Sequence, residues 1–135
     1  MAETPDFSGT WTMNAGKSRL EIAAPDRSVF VVEHAEPRFK LTRTHWSKGE
    51  PDAFSITLTT DGREVVTRQG DRVISSRCRW EGRRLAFDSK FEVKGGKATN
   101  VVRYSLSADG KELEAEEHFR APGFRYDNLW VFDRR

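Results

Sequence analysis

Six polar residues on alternating positions of short segments are the side chains best suited to orient a small molecule: Arg43, His45, Gln69, Asn100, Glu117 and Asn128. Arg43 offers a guanidinium, which binds a carboxylate through two parallel hydrogen bonds. Tyr104 and Tyr126 add hydroxyl groups. Arg43 and Glu117 also carry opposite charges, and a buried charge requires a partner. The two residues therefore allow two interpretations, which are ligand recognition and a structural pair whose members serve only each other.

Acid–base catalysis is the alternative use of these residues. Glu117, Tyr104 and His45 could act as acid and base in an enzyme of the isomerase or cyclase type. The chain has no Ser-His-Asp order and no phosphate loop, and its three histidines lack metal-ligand spacing. The single cysteine, Cys78, is expected to be an inert core thiol. We therefore expect a protein that is not an enzyme and that needs no metal and no cofactor.

Composition excludes several classes of partner. The 135 residues include 23 basic and 21 acidic ones, which are interleaved, so no stripe suited to nucleic acid is present. No apolar run has the length of a transmembrane helix. Residues 1–5 do not resemble a signal peptide, so the protein is cytoplasmic as written, or periplasmic or secreted if a leader was removed. We expect one domain over residues 1–135, monomeric or weakly dimeric.

Period-two alternation recurs along nearly the whole chain and predicts about ten strands. The predicted strands cover residues 9–14, 28–34, 38–46, 53–59, 64–69, 72–80, 84–93, 98–107, 112–119 and 126–133. Asp61-Gly62 and Asp109-Gly110 are strong hairpin turns, because both central residues accept a positive φ. The longest connection, residues 15–27, contains Gly16 and Pro25 and is allowed one helical turn.

The turn positions predict which residues lie opposite each other on neighbouring strands, and therefore which side chains share a face. The predicted pairs are Leu58–Val65 and Ile56–Thr67, Thr67–Ile74 and Val65–Ser76, Cys78–Leu85 and Ser76–Phe87, Phe91–Asn100 and Phe87–Tyr104, Leu106–Leu113 and Tyr104–Ala115, and Phe119–Tyr126, Ala115–Trp130 and Leu113–Phe132. In this register the apolar residues of seven strands point to one side and the charged residues to the other.

A sheet with one apolar face can bury that face by closing on itself, which also removes exposed edges. We therefore predict an all-β, antiparallel up-and-down barrel of about ten strands, with a flattened, filled sandwich as the alternative. Ten strands leave a lumen wide enough for a small ligand. The residues expected to line it are Phe30, Arg43, His45, Phe54, Gln69, Phe91, Asn100, Tyr104, Glu117, Phe119, Tyr126 and Asn128. The longer connections place the mouth at the end that holds residues 15–27.

The opening Phe7-Ser8-Gly9-Thr10-Trp11 resembles that of the calycins, the superfamily of lipocalins and fatty-acid-binding proteins. The resemblance implies that Trp11 lies at the closed floor, with Trp130 near it and Arg134 or Arg135 packed over the indole. The size and strand number are more similar to the fatty-acid-binding branch. Residues 15–27 are too short for that branch's helical lid, and residues 128–132 lack its Arg-x-Tyr clamp. The chain also looks like small bacterial lipocalin-like proteins of unassigned function.

The barrel and the resemblance together predict non-covalent binding or transport of a small hydrophobic or amphipathic ligand, of lipid or fatty-acid type. An apolar floor below a polar mouth suits an amphiphile that enters tail first, with Arg43 at its head group. Two alternatives remain: a lipocalin-fold enzyme, and a filled barrel that serves as a structural or interaction module.

Overall fold

Ten antiparallel strands form a single sheet in a computed structural model that describes residues 4–135. The strands are β1 Gly9–Met13, β2 Arg27–Ala35, β3 Arg38–Ser47, β4 Glu50–Thr59, β5 Val65–Gln69, β6 Arg72–Glu81, β7 Arg84–Val93, β8 Gly96–Leu106, β9 Glu112–Ala121 and β10 Phe124–Arg134. Residues 1–3, part of the stretch inspected for a signal peptide, lie outside the described residues. The described residues contain no helix that could cross a membrane.

The sheet curls into a nearly closed barrel because β1 pairs with β10 as well as with β2. The order of neighbours is β4-β3-β2-β1-β10-β9-β8-β7-β6-β5, which leaves β4 and β5 at the two ends of the sheet. The predicted ten-stranded antiparallel barrel is therefore confirmed. The predicted register is also confirmed at three turns, where Thr67 lies opposite Ile74, Leu106 opposite Leu113, and Phe119 opposite Tyr126.

The predicted hairpin between β4 and β5 is wrong. Leu58 does not pair with Val65, nor Ile56 with Thr67, because β4 pairs only with β3 and β5 only with β6. The Asp61-Gly62 turn is real, and Gly62 has φ 85°. The chain leaving that turn contacts β6 instead, through a bridge between Asp61 and Arg79. This seam between β4 and β5 is closed at the floor end, and no strand pairing closes it towards the mouth.

Two further registers are shifted by two residues from the prediction. Cys78 lies opposite Phe87 and Trp80 opposite Leu85, so the predicted pairs Cys78–Leu85 and Ser76–Phe87 are wrong. Phe91 lies opposite Ala98, Phe87 opposite Val102 and Leu85 opposite Tyr104, so the predicted pairs Phe91–Asn100 and Phe87–Tyr104 are wrong. In both hairpins the loop sits one residue from the predicted place. A shift of two residues preserves the side of the sheet to which every side chain points.

The floor of the barrel is plugged by the N-terminal segment. Phe7 is fully buried, stacks against His34 and Trp80 at centroid distances of 5.9 and 6.1 Å, and meets the Tyr104 ring edge-on at 6.0 Å. The Trp11 indole N–H donates to the Phe7 carbonyl at 2.9 Å. The Arg134 guanidinium lies 4.3 Å from the centre of the Trp11 ring. Trp11 therefore stands at the sealed end, and Arg134 rather than Arg135 covers it.

The connection between β1 and β2 extends the wall of the barrel instead of forming a lid. Residues 15–17 make a turn, and no helical turn follows in this connection. Arg19 forms a bridge with Leu129, where β1 has already ended. The Glu21 backbone N–H donates to the Asn128 side-chain oxygen at 2.8 Å. Leu20 and Ile22 pack against the core. The connection therefore covers the edge of β10 beside the mouth.

Candidate functional site

The upper half of the barrel encloses a cavity of about 300 Å³. A volume of this size lies at the lower end of the range for small-molecule sites. Eleven of the twelve predicted ligand-binding residues lie on its wall: Phe30, Arg43, His45, Phe54, Gln69, Phe91, Asn100, Tyr104, Glu117, Phe119 and Tyr126. The structure brings these residues, which come from eight strands, to one lumen, because each lies on the inward side of its strand.

The lower wall of the cavity is apolar. Aliphatic and aromatic side chains from four strands form it: Leu41, Ile56, Leu58, Phe87 and Val102. Below them lies a fully buried layer that includes Phe39, Leu85, Leu113 and Phe132. Water is therefore excluded from the floor, and an apolar group that reaches this depth is desolvated.

Arg43, on β3, places a positive charge in the wall of the cavity. Its guanidinium carbon lies 5.1 Å from the centre of the Phe54 ring, on the neighbouring strand β4. Within residues 4–135, no carboxylate approaches Arg43 closely enough to form an ion pair. The Nε atom is buried and has no hydrogen-bond partner. The Arg43 guanidinium therefore rests on the Phe54 ring, and its N–H groups remain free to donate to a ligand.

Glu117, on β9, is held by three neutral donors. Its Oε1 accepts from the Asn128 amide and from the Trp130 indole N–H, both at 2.9 Å. Its Oε2 accepts from the Asn100 amide at 2.9 Å. These three donors carry no charge, so they satisfy the carboxylate oxygens without supplying an ionic partner. A direct ion pair between Arg43 and Glu117, which the sequence left open, is not formed.

His45 is a neutral ring on the cavity wall. It stacks on Trp130 with ring centres 5.4 Å apart, and its Nδ1 lies 2.7 Å from the Ser28 hydroxyl. Burial and the charge of Arg43 together lower the pKa of His45 from 6.5 to about 4, against the opposing effect of Asp52 and Glu117. Near neutral pH the ring therefore contributes an aromatic surface and no charge.

Aromatic rings line the mouth side and the centre of the cavity. Phe119 and Tyr126 stack face to face with centres 4.8 Å apart, and Phe91 lies 6.0 Å from Phe119. Tyr104 is buried in the centre, 4.7 Å from Phe87 and 6.3 Å from Phe30. Burial raises the pKa of both tyrosines. Both hydroxyls therefore stay protonated and can donate hydrogen bonds.

Asn128 and Trp130 do not lie where the sequence predicted relative to the cavity. Asn128 does not line the cavity, because its amide joins Glu117 to the backbone of Glu21 in the connection between β1 and β2. Trp130, expected near the floor, lines the cavity and contacts Glu117 and His45. Trp130 lies four positions before Arg134 on β10, which places it about 13 Å along the strand from the rim of the floor.

The sequence reasoning missed one charged residue of the site. Arg72 lies on the cavity wall at the exposed start of β6, with its guanidinium 4.7 Å from the centre of the Phe91 ring. The inward positions Ile74 and Ser76 carry the same alternation back to residue 72, so the pattern contained the signal. Ser76 and Ser89 were missed as well, and their hydroxyls bond each other at 2.9 Å.

The described residues show no grouping of three or more His, Cys, Asp or Glu side chains that could hold a metal ion. Cys78 is fully buried, and burial raises the pKa of its thiol to about 12. A thiol with that pKa is protonated near neutral pH and is a poor nucleophile. The polar groups that line the cavity include one carboxylate, two guanidinium groups, one neutral imidazole and several hydroxyls.

Comparison by structure finds barrels of the same kind. A secretory abundant heat soluble protein from Ramazzottius varieornatus superposes with a TM-score of 0.67 and 11% identity, over 95% of this chain and 94% of that one. Human cRBP IV gives 0.63 and 18%, over 97% and 99% of the two chains. Zebrafish ileal bile acid-binding protein, complexed with cholic acid, gives 0.59 and 13%, over 96% and 98%. By sequence alone, no protein-family profile and no curated protein matches the chain.

These likenesses define the fold as a calycin-type β-barrel. Both chains are covered almost completely in each comparison, so the whole barrel corresponds and not one hairpin of it. At identities between 11% and 18% the correspondence is one of architecture. The fold that the resemblance of Gly9-Thr10-Trp11 implied is thereby confirmed.

Proposed function

We propose that the protein binds, without forming a covalent bond, a small hydrophobic or amphipathic molecule in the lumen of the barrel and can carry it as cargo. The observation that supports this function best is the change in polarity along one cavity of about 300 Å³, from an apolar inner end to a charged outer end. Its inner wall is apolar, and Arg43 with its unused hydrogen bonds lies nearer the mouth. A ligand of lipid or fatty-acid type would insert its tail first and leave its head group beside Arg43.

The energetics of such binding are adequate. Burial of about 200 Å² of apolar ligand surface supplies roughly 5 kcal/mol before the cost of ordering the ligand. One charge-assisted hydrogen bond at the head group adds about 1.5–3 kcal/mol. Together these terms set an upper limit in the micromolar range, from which the cost of ordering the ligand is subtracted. Among the structural neighbours, the zebrafish protein complexed with cholic acid offers a precedent for an acidic amphiphile in a barrel of this shape.

We propose binding rather than catalysis because the groups that could exchange protons are not poised for it. His45 is neutral with a pKa of about 4, and the Glu117 carboxylate is engaged by Asn100, Asn128 and Trp130. A general acid or base works best when its pKa lies near the operating pH. Turnover that Glu117→Gln abolishes, while ligand binding persists, would overturn the non-catalytic assignment.

The proposal is tested by melting the protein in the presence of a panel of fatty acids, fatty amines, fatty alcohols and bile acids. A ligand that binds only the folded state raises the melting temperature in proportion to its concentration over its dissociation constant. We expect a rise for at least one class of amphiphile. Native mass spectrometry of the protein purified from its own host should then show one bound small molecule. A panel with no stabilising member would favour a barrel that serves as a structural or interaction module.

A further inference from the structure

Two opposite charges face the lumen from opposing walls. Arg43 lies on β3 and Glu117 on β9, and both line the cavity. In the sheet order, β2, β1 and β10 separate these strands on one side, and the five remaining strands separate them on the other. In a ring of ten strands this places the two side chains on nearly opposite sides of the lumen. The cavity therefore has a positive wall and a negative wall.

Neither charge has an ionic partner among the described residues. The Glu117 carboxylate accepts hydrogen bonds only from neutral groups, those of Asn100, Asn128 and Trp130. Arg43 rests on the Phe54 ring, and its buried Nε atom is unpartnered. Both residues are partly buried, and a partly desolvated charge without an ionic partner leaves an interaction that a ligand can supply.

Both charges act on the space between them. The pKa values of His45, Tyr104 and Tyr126 are each influenced by both residues, Arg43 lowering them and Glu117 raising them. These three side chains lie on three different strands around the cavity. A ligand head group in the same space is therefore exposed to both walls at once.

We propose that the lumen selects amphiphiles with a zwitterionic head, whose anionic group pairs with Arg43 and whose ammonium group pairs with Glu117. The inference rests on the proposed function and names the ligand class for the same cavity. A simple fatty acid satisfies Arg43 and brings a second negative charge near Glu117. A simple amine satisfies Glu117 and brings a second positive charge near Arg43. Only a head that carries both signs complements both walls.

The test compares four ligands with the same hydrocarbon length near neutral pH: decanoic acid, decylamine, decanol and 2-aminodecanoic acid. Dissociation constants are measured by calorimetry for the wild type, Arg43→Gln and Glu117→Gln. We expect the wild type to bind the zwitterion about tenfold or more tightly than the acid or the amine, since one charge-assisted contact is worth about that factor. Arg43→Gln should shift the preference to the amine, and Glu117→Gln to the acid.

Lys40→Gln is the matched control, because Lys40 is a cation on the same strand as Arg43 but does not line the cavity and lies near Glu33 on the outer face of the barrel. This variant should keep the preference for the zwitterion. The wild-type ranking alone already tests the proposal, should a variant fail to fold. If the wild type binds the acid or the amine as tightly as the zwitterion, the inference is wrong. If none of the four ligands binds, including neutral decanol, the proposed function fails as well.

Discussion

At the scale of single residues, Glu117 shows how much of the site could be inferred from the sequence and where the inference stopped. Alternation along the strands correctly placed Glu117 and Arg43 inside the barrel. The predicted pairing of β9 with β8 and β10 brings Asn100, Asn128 and Trp130 near Glu117, but it does not show that all three N–H groups donate to this one carboxylate. Such a convergence depends on the rotamers of the four side chains, which the register of the strands does not specify.

Replacement of Glu117 by Leu should destabilise the fold. The substitution leaves three N–H donors without their acceptor, each worth about 1 kcal/mol when it loses its partner, although lumenal water can replace part of this. We expect the free energy of unfolding in urea to fall by about 1–2 kcal/mol. Glu114, on the same strand, is exposed and points outward, so Glu114→Leu should change it by less than about 0.5 kcal/mol. An equal loss of stability in the two variants would contradict the three hydrogen bonds that Asn100, Asn128 and Trp130 donate to Glu117.

His45 should make stability depend on pH. Its pKa is about 4 in the folded protein and about 6.5 in the unfolded chain, so between these values only the unfolded chain binds the proton. The free energy of unfolding should therefore fall as the pH is lowered from 6.5 to 4, and this contribution should level off below 4. After allowance for partial exposure of the ring, the loss is about 1–2 kcal/mol.

The measurement is urea unfolding of the wild type and of His45→Gln across this pH range. The variant cannot titrate at position 45 and should lose less stability on acidification than the wild type. Parallel curves for the two proteins would contradict a buried neutral imidazole at this site.

At the scale of the strands, turn residues predicted which side of each strand faces inward more reliably than they predicted pairing. The Asp109-Gly110 turn joins two paired strands, β8 and β9, as expected. The Asp61-Gly62 turn has similar residues, and Gly62 has a positive φ, yet its two flanking strands diverge. Turn chemistry fixes the local backbone, and the curvature of the whole barrel decides whether the strands stay together. The sequence carries no local signal for that curvature.

The seam between β4 and β5 should be visible in amide hydrogen exchange. Amides on the free edges of these strands lack an interstrand partner, whereas β8, β9 and β10 are paired on both sides. We expect the weakest strand protection along Val65–Gln69 and the strongest in the central part of β9. The Gly62 N–H donates to the Cys78 carbonyl at 2.8 Å and should be protected where the seam closes. Strong protection on the facing edges of β4 and β5 would indicate that the barrel is sealed by a hairpin.

At the scale of the whole molecule, the barrel separates two tasks along its axis. The floor, with Phe7 and Trp11 fully buried and Arg134 over the indole, provides stability and closes one end. The mouth half carries the cavity and nearly all of its polar groups. This division explains why a chain with 36% hydrophobic residues supports both a core and a lumen. The account therefore depends on one claim, that the upper lumen admits a ligand.

The most direct test is the dissociation constant of a bound amphiphile, identified from the panel, for two tryptophan variants of neighbouring residues on β8. Val102 lines the cavity opposite Glu117, and Val101 lies on the outward side opposite His118. Val102→Trp fills the lumen and should weaken binding at least about tenfold, a loss of about 1.4 kcal/mol. Val101→Trp should bind as the wild type does. Undiminished binding by a folded Val102→Trp protein, or equal loss in both variants, would contradict a lumenal site.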